Sequence, residues 1–236
     1  MKSQRLGIRG WGLGIMLGLG SLVIFNAAIS AEDLSGNSTE PTLTITVRVL
    51  DYGQVPQWIL ANAEKEAASI LRAAGIESVW LDCPTRPVAK QSDSACARPF
   101  SPADPVLRIL SESMAGRMHF HDNTMGYAAL EEKGGRGYGF VAGIFYAKVE
   151  SVAEETRTLR CHVLSHAMAH EIGHLLLGTL KHSNTGLMGA CWRPEEMRLA
   201  RRGELQFSAR EATLLRAEVR ARASAESFLE EGRRPN

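Results

Sequence analysis

Apolar and polar residues alternate with a period of two along residues 43–50, which predicts a first β-strand. Residues 57–74 carry apolar side chains at helical spacing, between Pro56, which suits a helix start, and Gly75, which suits a helix end. Residues 76–81 then predict a second strand. A strand, a helix and a strand in succession indicate a crossover unit whose two strands are parallel.

Further strand-like segments follow in the middle of the chain. Residues 83–105 contain the prolines and serines of a surface loop, and strand character returns over residues 106–113. Residues 125–130 and 138–149 are also strand-like and flank a glycine-rich turn, so they predict a hairpin.

Helical patterns dominate the last third of the chain. Apolar residues cover most sides of a segment that begins near Thr158, which predicts a long and largely buried helix. A helix-like stretch follows at residues 194–202, and Ser208 with Glu211 forms a capping box that opens a last helix. The pattern as a whole predicts an α+β domain with a mixed sheet packed on helices.

The buried helix carries the chemistry. His170 and His174 are four residues apart, so both rings can point at one place on the same helix face. Two histidines at this spacing suit a zinc ion, which needs one more protein ligand if the fourth position is kept for water. Glu171 directly follows the first histidine and could act as the general base that activates the zinc-bound water.

The segment from His170 to Met188 resembles the metzincin zinc peptidases, whose motif is His-Glu-x-x-His-x-x-Gly-x-x-His followed by a turn with a methionine. Here Gly178 stands four residues after His174 and His182 eight, where the family has three and six. The resemblance implies a zincin-like fold in which His170, His174 and His182 hold Zn²⁺. It also implies that Gly178 ends the helix and that Met188 lies beneath the metal.

Two alternatives for the third ligand come from a neighbouring segment. Glu195 or Glu196 could supply a carboxylate, as in gluzincins, although carboxylates in a first helical turn also suit the helix dipole. The resemblance further implies a strand that pairs with extended substrate at the sheet edge, and residues 139–145 are the predicted strand.

Other histidines lie outside the motif. His162 and His166 precede His170 at intervals of four, too far along the helix to share an ion with His174, and we predict structural or cleft-lining roles. His119 and His121 are expected in an exposed loop.

The N-terminus predicts export. Three basic residues precede an apolar run with small residues at its end, so residues 1–30 are interpreted as a signal peptide, with an uncleaved anchor as the alternative. Residues 31–41 then form a flexible leader, residues 42–229 the peptidase domain and residues 230–236 a disordered tail. Removal of residues 1–30 changes the balance of 27 basic and 26 acidic residues to 24 and 26, a net charge of −2. This charge excludes a basic surface for nucleic acid.

Four cysteines lie in the exported part, and an even number in an oxidising compartment predicts disulfides. Cys83 and Cys96 bracket a short loop and are paired in this interpretation, which leaves Cys161 to pair with Cys191.

These observations predict a secreted or periplasmic zinc metalloendopeptidase that acts on a peptide or protein substrate. We expect a monomer without membrane contact once the signal is cleaved. Two alternatives stay open. The wide spacing before His182 could close the water position, which would give a secreted zinc-binding protein without peptidase activity. The substrate could also be a cell-wall amide instead of a protein, because the sequence does not identify the substrate.

Overall fold

The computed structural model describes residues 42–86, 95–98, 101, 103–118, 120, 124–133 and 136–231. The predicted signal peptide and leader, His119, His121 and residues 232–236 of the predicted tail lie outside them. No helix in the described part of the chain combines the length and the apolar character needed to cross a membrane.

In the part of the chain that the structure describes, five strands form one mixed sheet: β1 (Thr44–Asp51), β2 (Glu77–Cys83), β3 (Val106–Leu110), β4 (Gly126–Lys133) and β5 (Arg136–Phe145). Their order is β2-β1-β3-β5-β4. All neighbours are parallel except β4, which pairs antiparallel with β5 at one edge. The predicted mixed sheet on helices is confirmed, as are the parallel crossover of β1 and β2 and the hairpin of β4 and β5.

Among the described residues, six α-helices accompany the sheet: α1 (Gln57–Ala73), α2 (Glu112–Ala115), α3 (Tyr146–Thr156), α4 (Arg160–Leu177), α5 (Pro194–Arg201) and α6 (Ala209–Glu231). Helix α4 carries the His170–His174 motif and is buried over almost its whole length. It packs against α1, and both helices contribute to one apolar core, α1 with Ala63, Ala67 and Ile70 and α4 with Leu164 and Met168. A long helix enclosed on most sides gives the motif a rigid support.

Three predictions about the sheet are wrong. Residues 139–145 belong to β5, which lies between β3 and β4, so the edge strand next to α4 is β4. Residues 146–149 are the first turn of α3, a helix that the sequence patterns did not predict. Strand β3 ends at Leu110, and the short helix α2 replaces the rest of the predicted strand. Most of the apolar residues in these segments are buried, among them Ile109, Ile144 and Val149, but tertiary packing decides the local conformation.

One of the two predicted disulfides is present. Cys83 at the end of β2 is bonded to Cys96 across the loop. The predicted Cys161–Cys191 bond is wrong, because Cys161 is a free thiol buried in the first turn of α4 and Cys191 is a free, exposed thiol after Met188. The chain turns Cys191 towards a cavity instead of towards the helix start.

Candidate metal centre

Three histidine rings converge beside the C-terminal half of α4. The Nε2 atom of His174 lies 3.0 Å from that of His170 and 3.3 Å from that of His182. One ligand atom from each of these residues lies within 4.8 Å of the others. His170 and His174 are buried, whereas His182 is exposed and stands at the solvent side of the cluster.

Backbone carbonyls fix the orientation of two of these rings. The Nδ1 atom of His170 lies 2.7 Å from the carbonyl oxygen of Leu187, and that of His174 lies 2.7 Å from the carbonyl oxygen of Thr179. A carbonyl oxygen only accepts hydrogen bonds, so both Nδ1 atoms carry the proton. The neutral rings therefore present unprotonated Nε2 lone pairs to the centre of the cluster.

Burial keeps these rings neutral. Burial, followed by the neighbouring His174 and His182, lowers the pKa of His170 to about 3. Burial likewise lowers the pKa of His174 and of His182. Neutral imidazole is the form that binds a metal ion, so little proton competition is expected near neutral pH.

The spacing of the Nε2 atoms fits zinc. With zinc–nitrogen bonds of about 2.0–2.1 Å, tetrahedral geometry places neighbouring ligand nitrogens about 3.3 Å apart. Two facing lone pairs 3.0 Å apart repel each other unless a cation lies between them. Three imidazole nitrogens form a donor set that suits zinc and leaves a fourth position for water or substrate.

A left-handed turn brings His182 to the other two rings. Gly178 ends α4 with a φ of 63°, and its N–H donates to the carbonyl of His174. The two residues added to the spacing are accommodated in the next turn, where the Thr179 carbonyl accepts from His174 and the Thr179 hydroxyl accepts from the Lys181 N–H.

Strand β5 also requires a glycine at position 178, because the two backbones approach each other closely there. Gly137 of β5 donates from its N–H to the carbonyl of Gly178 at 3.2 Å. A Cβ at either glycine would collide with the carbonyl oxygen of the other. The sheet therefore fixes the position at which the chain leaves α4.

The ligand loop is tied to the last helix. The Ser183 hydroxyl donates to Oε1 of Glu211 at 2.6 Å, and Oε2 of the same carboxylate accepts from the Ser208 N–H at 2.8 Å. The predicted capping box at Ser208 and Glu211 is present, and the same carboxylate also holds the residue after His182.

Met188 lies on the helix side of the cluster. Its side chain is buried, and its sulfur packs against Gly173, where a Cβ would lie 2.6 Å from the sulfur and 2.8 Å from the Phe207 ring. Gly173 stands between the two helical histidines, and its lack of a side chain lets Met188 approach the backbone. Sequence reasoning missed Gly173, although a glycine inside a buried helix is a signal of close packing.

Glu171 is buried beside this cluster. Burial alone raises its pKa to about 8, and its Oε2 has no hydrogen-bond partner among the described residues. A Cβ at Gly126, the first residue of β4, would lie 2.6 Å from Oε1 of Glu171. The absence of a side chain at Gly126 thus provides the space that the Glu171 carboxyl occupies. The sequence patterns did not indicate this role for Gly126.

A cavity of about 400 Å³ opens next to His170, Glu171 and His182. Its walls come from α3, from the residues that lead into β4 and from the loop after Met188, which contributes Cys191 and Trp192. The cavity gives a ligand access to the acid and to the cluster together.

The other candidate residues lie elsewhere. Glu195 forms an exposed ion pair with Arg198 at 2.6 Å, and Glu196 accepts from the Arg193 N–H as a helix cap. His162 lies 2.7 Å from Glu66, and Nδ1 of His166 lies 2.7 Å from the carbonyl oxygen of His162. None of these four residues belongs to the cluster that could hold a metal ion.

Comparison with known proteins gives structural neighbours only. No protein-family model and no curated protein sequence matches the chain. A zinc-dependent peptidase from Methanocorpusculum labreanum is similar over 72% of this chain and 99% of its own, with 13% identity and a TM-score of 0.46.

Two further solved structures are similar to the chain. Archaemetzincin from Methanopyrus kandleri has 15% identity and a TM-score of 0.44 over 77% of this chain and 98% of its own. Metalloproteinase-II from Bacteroides fragilis has 14% identity and a TM-score of 0.42 over 75% of this chain and 53% of its own. Because all three scores are below 0.5, the functional conclusions rest on the site itself.

Proposed function

We propose that the chain is a zinc-dependent peptidase. His170, His174 and His182 hold the ion through their Nε2 atoms, Glu171 is the general base, and Met188 forms the apolar floor. The observation that supports this proposal is the close approach of three ring nitrogens, those of His170 and His174 unprotonated, beside a buried carboxyl group whose Oε2 has no hydrogen-bond partner among the described residues.

The chemistry divides between the ion and Glu171. When bound, Zn²⁺ supplies Lewis acidity, which polarises a substrate carbonyl and lowers the pKa of water to about 7. Glu171 accepts a proton from the attacking water on a carboxylate oxygen and returns it to the departing amine. Burial raises the pKa of Glu171 to about 8, and the positive charge of a bound Zn²⁺ would lower it, which favours the carboxylate form that accepts the proton near neutral pH.

The sheet edge supports a peptide as the substrate. Strand β4 is the last strand of the sheet, and its first residue, Gly126, contacts Glu171. An extended peptide could pair with the backbone of this edge and lay one of its carbonyl groups over the cluster. The Cys83–Cys96 disulfide supports an oxidising compartment, so we also propose that the peptidase acts after export.

The proposal is tested by metal analysis and a peptide-library digest of the same preparations. Glu171→Gln should retain zinc and lose about 10²–10⁴-fold in turnover, because only the proton transfer is removed. His182→Ala should lose zinc, whereas Glu195→Gln, which alters the exposed alternative ligand, should keep both zinc and turnover.

Three results would contradict this function. Full turnover in Glu171→Gln would exclude Glu171 as the general base. Stoichiometric zinc without cleavage of any library peptide would favour the zinc-binding protein, and cleavage of a cell-wall amide alone would favour the second alternative.

A further inference from the structure

The cavity beside the cluster has one wall that no part of the proposed chemistry uses. Lys148, Val152 and Glu155 line the cavity from α3, together with His170 and Glu171. Their intervals of four and three residues place all three on one face of α3. A substrate held over the cluster would therefore pass along this helix face.

Lys148 brings a positive charge to this wall. It is half-buried, and no carboxylate in the described part of the chain lies within ion-pair distance of it. Partial burial removes some of the water that would otherwise solvate the ammonium group, so an anion in the cavity would be attracted more strongly than at an open surface.

The acidic residues of the same helix have other partners. Glu150 and Glu154 pair with Arg160 at 3.0 Å and 3.6 Å. Glu155 accepts a hydrogen bond from the Ser151 hydroxyl at 2.8 Å, and it stands about 10 Å further along the helix axis than Lys148. None of them neutralises the charge of Lys148.

We propose that Lys148 is a carboxylate-binding residue of the cleft and that it selects peptides with a carboxylate near the scissile bond. This inference rests on the proposed peptidase function and names its substrate class. An ammonium group binds a carboxylate as a compact charge with three donors, and the charge strengthens the hydrogen bonds. An acidic side chain and a C-terminal carboxylate supply the same chemistry.

The test separates binding from cleavage. Zinc-loaded Glu171→Gln is titrated with acetylated alanine peptides that carry Glu or Gln at successive positions, each as a free acid and as a C-terminal amide. We expect the carboxylate member of one pair to bind about five- to tenfold more tightly than its neutral isostere. The added change Lys148→Gln should abolish this preference, and Lys148→Arg should retain it.

Lys65 provides the matched control, because it is an exposed lysine on α1, away from the cavity. Lys65→Gln in the same background should keep the full preference. Equal binding of all the pairs, or a preference that survives Lys148→Gln, would overturn the inference. A preference seen only for Glu over Gln assigns the subsite to acidic side chains, and one seen only for free acids assigns it to the peptide C-terminus.

Cleavage by the protein with Glu171 intact is then measured on the same peptides. A carboxylate preference in binding without any cleavage contradicts the peptidase function and leaves the subsite supported. Cleavage that is equal for acidic and neutral peptides contradicts the subsite alone.

Discussion

His170 and Trp192 donate to the same carbonyl oxygen, that of Leu187. Nδ1 of His170 lies 2.7 Å from this oxygen and Nε1 of Trp192 lies 3.1 Å from it, and the two rings meet edge to face with centroids 6.0 Å apart. The indole thus holds the acceptor that orients the first proposed ligand. Groups that orient metal ligands in this way tune the affinity of the site.

Trp192→Phe should therefore weaken zinc binding by about three- to tenfold, less than loss of a direct partner of a ligand would. The affinity is measured by competition with a coloured chelator, which needs no catalytic activity. Trp80→Phe is the control, since it removes an indole that donates to Ser78 on β2, away from the cluster. Equal affinities for the two variants would show that the indole does not position His170.

Gly178→Ala should both destabilise the fold and weaken zinc binding. The substitution adds left-handed strain and a collision with the Gly137 carbonyl, for an expected cost of about 2–3 kcal/mol in the free energy of unfolding. Gly203 has the same sign of φ, at 68°, but a Cβ there would meet no atom within 4 Å. Gly203→Ala should cost only about 1 kcal/mol, and chemical denaturation measures both. Equal losses would refute a role for the collision.

The stability of the fold should depend on Glu64. Burial, followed by the neighbouring Asp82 carboxyl, raises the pKa of Glu64 from 4.5 to about 8. The folded protein thus keeps a proton up to about pH 8 that the unfolded chain releases near pH 4.5, so a rise in pH through this interval favours unfolding.

Glu64→Gln should remove this dependence and raise the free energy of unfolding by about 1 kcal/mol at pH 9, a value reduced for the partial exposure of the side chain. The gain should vanish below pH 4.5. Denaturation across this pH range measures it, with Glu132→Gln on the exposed side of β4 as the control. A gain that does not change with pH would exclude titration as its cause.

The two free thiols should differ in reactivity. Cys191 is exposed and should be alkylated in the native protein, whereas burial shields the thiol of Cys161 and raises its pKa. Mass spectrometry after iodoacetamide treatment should locate the label on Cys191 alone until denaturant is added. Protection of both residues that is lost on reduction would restore the disulfide predicted from the sequence.

Local patterns predicted much of this arrangement. The helical spacing of His170 and His174, the capping box at Ser208 and the crossover of β1 and β2 depend on neighbouring residues, and the structure contains all three. The edge position of β4 and the space at Gly126 depend on packing between distant segments, and a single sequence does not reveal them. The turn at Thr179, which accommodates the wide spacing before His182, depends on both.

The carboxylate of Glu211 has a consequence for the order of assembly. This carboxylate accepts the Ser208 N–H at the start of α6, and it also accepts the hydroxyl of Ser183, the residue after His182. A chain whose last helix has not yet folded therefore holds two of the proposed ligands on α4 and leaves the loop of the third without this support. We expect the affinity for the ion to rise at the folding step in which α6 docks against this loop.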